Sequence, residues 1–238
     1  MKVVVSIGGS VLVPDLEAGR VSGHAAAVEE LADAGCTVGA VVGGGPTARE
    51  YVGTARELGA NEIALDELGI ATTRLNAKLL VAALEGRAAP KVPEDYESAG
   101  EVLRREEIVV MGGVAPGQTT DAVSAALAEY VDADLLVYAT SVPGVYSDDP
   151  NEVADAEKFH EMTPGELVDL IAGDEMRAAT SAPVDLLAAK LIERSGTRTV
   201  VLDGTDPSAI TDAVLRGEHG GTDVVPAGSE EPSYWAER

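Results

Sequence analysis

The stretch Ile108 to Ala126, IVVMGGVAPGQTTDAVSAA, decides how the chain is read. Its opening run, Ile108-Val-Val-Met111, is short, rich in β-branched residues and closed by glycines, which predicts a buried strand. Gly112 and Gly113 let the backbone turn sharply or approach a ligand with no Cβ in the way. Residues 114–118 form a loop punctuated by Pro116 and Gly117. Thr119, Thr120 and Asp121 each qualify as the N-cap of an apolar helix over 122–131. Strand, glycine loop, polar cap and helix together suit an anion, because free N–H groups and the helix dipole point out of the helix start. Taken alone, the stretch fits an ordinary strand-to-helix turn equally well.

Working outward, the arrangement recurs. KVVVSI (2–7) runs into Gly8-Gly9-Ser10, and TVGAVV (37–42) runs into Gly43-Gly44-Gly45-Pro46-Thr47. The first by itself is a plain turn and the second a plain helix start. Three such loops at strand ends in one small domain point together to ligand binding at the carboxyl edge of an open α/β sheet. Further strands are expected at 134–139 and 197–202, with Gly220 to Val225 as a closing edge strand. Helices are expected at 22–34, 47–58, 60–84, 96–105, 163–172, 184–194 and 207–215. Residues 90–93 read as a short strand or loop. Gly69 interrupts the 60–84 helix, with Asp66, Thr73, Arg74 and Asn76 on its polar positions. Thr163, Pro164 and Glu166 form a cap, first-turn proline and capping-box acid. Arg49 in the first turn of its helix opposes the dipole unless an anion arrives; an exposed surface Arg is the ordinary alternative. The loop 140–150, TSVPGVYSDDP, should expose Tyr146 and Asp149. The alternation of strands and helices predicts an α/β class with a mostly parallel sheet, and a seam near Gly117 through which the sheet is free to continue.

Composition bounds the function. The 238 residues suffice for a substantial core in one or two domains. With 45% hydrophobic but only 3% aromatic residues, that core must be built from Ala, Val, Leu and Ile. Forty-one acids against 17 basic residues give a net charge of −24, which excludes nucleic acid and anionic membrane as partners. Few of the basic residues are Lys, a pattern that predicts adaptation to concentrated salt, where surface acids are screened from one another. Cys36 stands alone, so no intrachain disulfide forms, and it reads as a small core residue. His24, His160 and His219 lack metal-ligand spacing, so no residue is assigned as a metal ligand. No signal-peptide pattern opens the chain and no apolar run spans a bilayer, which predicts a cytoplasmic protein. Residues 226–238, acidic with Pro, Gly and Ser, are expected to be a disordered tail.

Neither a Walker A motif nor a GxGxxG fingerprint is present. Instead SIGGSVL (6–12), VVGGGPTARE (41–50), DELGIATTRLNA (66–77), VMGGVAPGQTTDAVSAAL (110–127), ATSVPGVYSDDP (139–150) and PVDLLAAKLIERSG (183–196) occur in order. This set resembles the amino acid kinase family, and within it the archaeal uridylate kinases, over almost the whole chain except the tail. The resemblance implies a three-layer α/β/α sandwich around a mostly parallel sheet. It divides the chain into an acceptor half (1–117) with oligomer contacts and an ATP half (118–225). It also implies transfer from ATP to UMP with Mg²⁺ as cofactor, in a homohexamer built from dimers. Other kinases of the family, acting on isopentenyl phosphate or carbamate, and a non-catalytic nucleotide-binding oligomer are the alternative readings.

Carried over by motif, Gly9, Ser10, Gly45, Arg49, Thr140, Ser141, Tyr146 and Asp149 would bind ATP. Gly44, Asp66 and the run Val114, Ala115, Pro116, Gly117, Gln118, Thr119 and Thr120 would bind UMP, Asp66 at the ribose and Thr120 at the base edge. Arg49 and Asp121 would be catalytic, Asp121 matching an acid that organises the catalytic cations across the family. One position departs from the pattern: Ser6 stands where many relatives carry a Lys. The cations then available to the transferring phosphate are Arg49, Lys190 and Mg²⁺, and Lys190 reads at least as well as a solvated surface charge.

Overall fold

The computed structural model describes residues 1–105, 108–148, 150, 153, 155–175 and 183–229, without the side chains of residues 174 and 175. In chain order the elements are β1 (Lys2–Ile7), α1 (Gly9–Leu12), α2 (Ala18–Asp33), β2 (Thr37–Val42), α3 (Gly45–Glu57), α4 (Glu62–Ala83), α5 (Tyr96–Leu103) and β3 (Ile108–Met111). They continue with α6 (Thr120–Tyr130), β4 (Leu135–Thr140), β5 (Glu161–Met162), α7 (Pro164–Glu175), α8 (Leu186–Ser195), β6 (Thr199–Asp203), α9 (Ser208–Arg216) and β7 (Thr222–Val224).

One sheet carries them all, in the order β3-β2-β1-β4-β6-β7-β5. From β3 to β6 every pairing is parallel. Strands buried on both faces must be apolar at every position, and β1 shows how the alternation is used. Val3, Val5 and Ile7 pack into one layer with α2, α4 and α9. Val4 packs on the other side with α5, α6, α7 and α8. The result is the expected three-layer α/β/α sandwich. The chain winds outward through β1, β2 and β3, then returns to lay β4 on the other flank of β1. That reversal places a crevice at the carboxyl ends of β1 and β4, and the sheet runs unbroken through the seam near Gly117.

Several expectations are corrected. The Gly8-Gly9-Ser10 loop is itself the start of α1. Gly69 does not interrupt α4, which runs for 22 residues from an Asn61 cap whose side chain accepts from Ala64 N–H. Thr73 and Asn76 are buried, not on a polar surface. Helix α3 begins at Gly45, two residues earlier than expected, so Arg49 lies beyond its first turn. Strand β7 is not an edge: it pairs antiparallel with β6, while the unexpected β5 lies outside it. Tyr146 is half-buried and bridges Lys158. The Thr163 capping box forms as read, Thr163 N–H donating to Glu166 Oε2 at 2.7 Å and Glu166 N–H to Thr163 Oγ1 at 3.2 Å. Cys36 is buried in the core. No helix among the described residues is long and apolar enough to cross a membrane.

Candidate active site

The first two glycine loops are glycine-rich because they touch each other. Gly45 has φ +64°, and a Cβ there would fall 2.5 Å from the Gly9 carbonyl. A Cβ on Gly9 would overlap the Gly45 nitrogen in turn. Side chains at either position would drive β1 and β2 apart at their carboxyl ends, so this backbone approach demands glycine. The third loop leans on α4, where a Cβ at Gly112 would lie 2.8 Å from Arg74 N.

Helix α4 fastens the loops. Asn76 Nδ2 donates to the carbonyls of Gly43 (2.9 Å) and Gly44 (3.1 Å). Thr73 Oγ1 accepts from Gly113 N–H at 2.7 Å. Arg74 Nε donates to Gly113 O at 3.1 Å while its guanidinium pairs with Glu94 at 2.8 Å. Asp66 Oδ2 accepts from Gly117 N–H at 2.8 Å, tying the end of the third loop to the same helix. Four side chains of one helix thus fix the loops after β2 and β3.

Between α3, α4 and the third loop lies a cavity of about 500 Å³. Of the residues expected at the acceptor, Gly44, Asp66, Gly117, Gln118, Thr119 and Thr120 line it, and so do Gly45 and Arg49. Val114, Ala115 and Pro116 are not on its wall. Gly113, read as a point of close backbone approach, also lines it, while sequence reading missed Ala48, Val52, Arg56, Leu65, Gly69, Ile70 and Thr73. Most stand at helical spacing from Arg49 or Asp66, so following the 3.6 period from those two positions would have found them. Arg49 Nη2 lies 3.3 Å from Ser10 Oγ, so this guanidinium spans the gap between the cavity and the first loop. Arg56, on the rim, pairs with Glu62 at 3.2 Å.

On the other flank of β1, Thr119 caps α6, accepting from Ala122 N–H at 3.1 Å and donating to Asp185. Asp185 in turn caps α8, accepting from Ala188 N–H at 2.9 Å. Asp121, in the first turn of α6, therefore has a second carboxylate beside it. Burial, and then the charge of Asp185, push the Asp121 carboxyl up to about 7, opposed by a hydrogen bond from Ser6. Ser6 is buried on the same face of β1 as Val4, which aims it at α6. Tyr138 donates to the Asp121 carbonyl at 2.8 Å, and burial first, then the two carboxylates, raise its phenol well above the ordinary range. Lys190 is exposed on α8 and pairs with Glu193 at 3.1 Å, as the solvated-charge reading holds.

Thr140 ends β4 and Ser141 follows it, both outside the cavity. Thr140 Oγ1 closes a local turn, donating to Val142 O (2.9 Å) and accepting from Val142 N–H (3.0 Å). Thr222 accepts from Val145 N–H at 2.8 Å and fastens this loop to β7. Asp149 lies outside the described residues. No cluster of three or more His, Cys, Asp or Glu suited to a metal occurs among the described residues. His24 is buried with both ring nitrogens against carbonyl oxygens at 3.0 Å.

Comparison with known proteins supports the fold and gives the family. The profile of the amino acid kinase family matches residues 1–203. A uridylate kinase from Halobacterium salinarum is 71% identical over 238 residues, covering 100% of this chain and 99% of the relative. A uridylate kinase from Methanoculleus marisnigri is 50% identical over 228 residues, covering 96% and 97%. The crystal structure of uridylate kinase from Archaeoglobus fulgidus superposes with a TM-score of 0.86 at 46% identity, over 94% of this chain and all of that one.

Proposed function

This chain belongs to the amino acid kinase family, and we propose that it transfers the terminal phosphoryl group of ATP to UMP, giving UDP and ADP. Phosphorylation of UMP follows from relatives that match it end to end at high identity. The single observation in the structure that supports UMP as acceptor is the cavity itself. Around one space stand a guanidinium suited to a phosphate, a carboxylate suited to a ribose diol and a threonine pair suited to a base edge.

The chemistry asks little of the protein. A phosphate monoester has its second pKa near 6, so the attacking oxygen of UMP is already ionised at neutral pH and no general base is needed. What remains is alignment and neutralisation of charge. Arg49 holds phosphate where it reaches both the acceptor cavity and Ser10. The N–H groups of Gly9 and Ser10 opening α1, together with the starts of α3 and α6, supply fixed positive ends. Asp66 keeps one oxygen on Gly117 and presents the other to the ribose. Asp121 and Asp185 fit Mg²⁺: both are oxygen donors, and none of the ion pairs among the described residues engages either. Such an ion is commonly held by one or two carboxylates plus substrate phosphates. When bound it supplies charge neutralisation at the phosphates. Thr140, Ser141 and Tyr146 form the adenosine side. The exposed Tyr51 on α3, Leu58 just after it, and Ile63, Leu75 and Leu79 on α4 support assembly into an oligomer.

Initial rates of ADP release with UMP, CMP, isopentenyl phosphate and carbamate test the reading. UMP is expected to be preferred. A carbonyl-to-amino change in CMP mismatches buried groups, at a cost of about 1–3 kcal/mol each. Equal efficiency with CMP would remove the base-reading role from Thr119 and Thr120. Preference for isopentenyl phosphate or carbamate would overturn the assignment of UMP.

A further inference from the structure

Gly69 sits in the middle of α4, seven residues past its first residue. A helix-interior glycine is destabilising relative to alanine, so its presence asks for a reason. Backbone conformation gives none, since Gly69 is not among the residues with positive φ. Packing gives none either: a Cβ placed there meets no atom within 4 Å. This is unlike Gly112, where a Cβ would run into α4 itself. The empty space beside Gly69 is the cavity. Leu65, Asp66, Ile70 and Thr73, at positions −4, −3, +1 and +4 from it, line the same wall, so Gly69 is at the centre of the stripe that α4 turns to the cavity.

Resting on the reading of this cavity as the acceptor site, we infer that Gly69 is a specificity-determining position. The missing side chain leaves room for the nucleoside of UMP against α4, between the carboxylate of Asp66 and Ile70. Any larger residue would trade nucleoside binding for helix stability. The two effects run in opposite directions, which separates this role from a structural one.

The test measures UMP affinity by titration calorimetry, the KM for ATP and the melting temperature on the full chain. Gly69→Ala should weaken UMP binding about tenfold, equivalent to about 1.4 kcal/mol, and leave the ATP requirement unchanged. Its Tm should rise by about 2 °C, the helix gaining what glycine withheld. Gly69→Leu should abolish UMP binding in a protein that still folds. Gly53→Ala serves as the control, because Gly53 is also inside a helix with open space at its Cβ but is not on the cavity wall. It should raise Tm and leave UMP affinity as it was. Unchanged UMP affinity in Gly69→Ala, or equal weakening in Gly53→Ala, would overturn the inference. Asp66→Ala separates the two readings. If it weakens UMP binding while Gly69→Ala does not, only the role of Gly69 falls; if neither weakens it, UMP is not bound here and both fall.

Discussion

At the scale of single residues, the site depends on where its scarce cations stand. Ser6 occupies the position at which many relatives of the family carry a Lys, and it offers Asp121 a hydrogen bond without a charge. Lys190 is engaged with Glu193 on an exposed helix face. Of the cations on the cavity, Arg56 pairs with Glu62, and Arg49, whose guanidinium reaches Ser10, is the one proposed at the transferring phosphate. Arg49→Ala should therefore lower turnover by about 10²-fold or more, in line with the loss of a charge-stabilising donor at a reacting centre. Arg49→Lys should recover only part of it, because an ammonium lacks the planar fork that meets two phosphate oxygens at once. Steady-state turnover with saturating UMP and ATP is the measurement. Near-normal turnover in Arg49→Ala would take this residue out of the mechanism.

Elements set a different constraint, and here α4 dominates. Its buried polar side chains are the fastenings of the loops around the cavity. Asn76 is the clearest case, since one amide group satisfies two loop carbonyls, those of Gly43 and Gly44. Asn76→Leu keeps the size of the side chain and leaves both carbonyls without their donor in a buried setting. The expected loss of stability is about 2 kcal/mol, seen as a Tm lower by about 4–8 °C for a chain of this size. Because the Gly43–Gly45 loop touches both Gly9 and the cavity, the KM values for ATP and UMP should rise together. A stability loss with both KM values intact would show that the loop holds its shape without Asn76.

Across the whole molecule, charge is the governing quantity. Among the described residues Asp223 is buried and paired with Arg198, and Asp121 is enclosed beside Asp185. The other acids lie nearer the surface, where a net charge of −24 makes them repel one another. At 0.1 M salt that repulsion reaches over about 10 Å, and at 1 M over about 3 Å. The core opposing it is built mostly from Val, Ala, Leu and Ile, which bury less area per residue than aromatic side chains. Thermal unfolding across a potassium chloride series should show Tm climbing into the molar range. Salt also weakens the attraction of Arg49 for phosphate, so the initial rate should peak and then fall while Tm continues to rise. A Tm that does not move between dilute buffer and molar salt would defeat the halophilic reading and leave the kinase assignment untouched.

By itself the sequence determined the alternation of strands and helices and the positions of β1, β2 and β3. It also determined the Thr163–Glu166 box and narrowed the α6 cap to Thr119, Thr120 or Asp121, of which the structure chose Thr119. Each of these depends on residues within a few positions of one another, and the periods of strand and helix are written directly in the order of side chains. The motif resemblance added the residues proposed for the acceptor, most of which the fold gathers around one cavity. Only the tertiary structure showed why Gly9 and Gly45 must be glycine, since each is the other's obstacle across two loops. Only it showed that Thr73 and Asn76 turn inward, that Asp185 stands beside Asp121, and that Gly69 opens a cavity where an interrupted helix was expected. These facts arise where segments far apart in the chain meet at the carboxyl edge of the sheet. Local periodicity carries no information about that meeting, because it is decided by strand order.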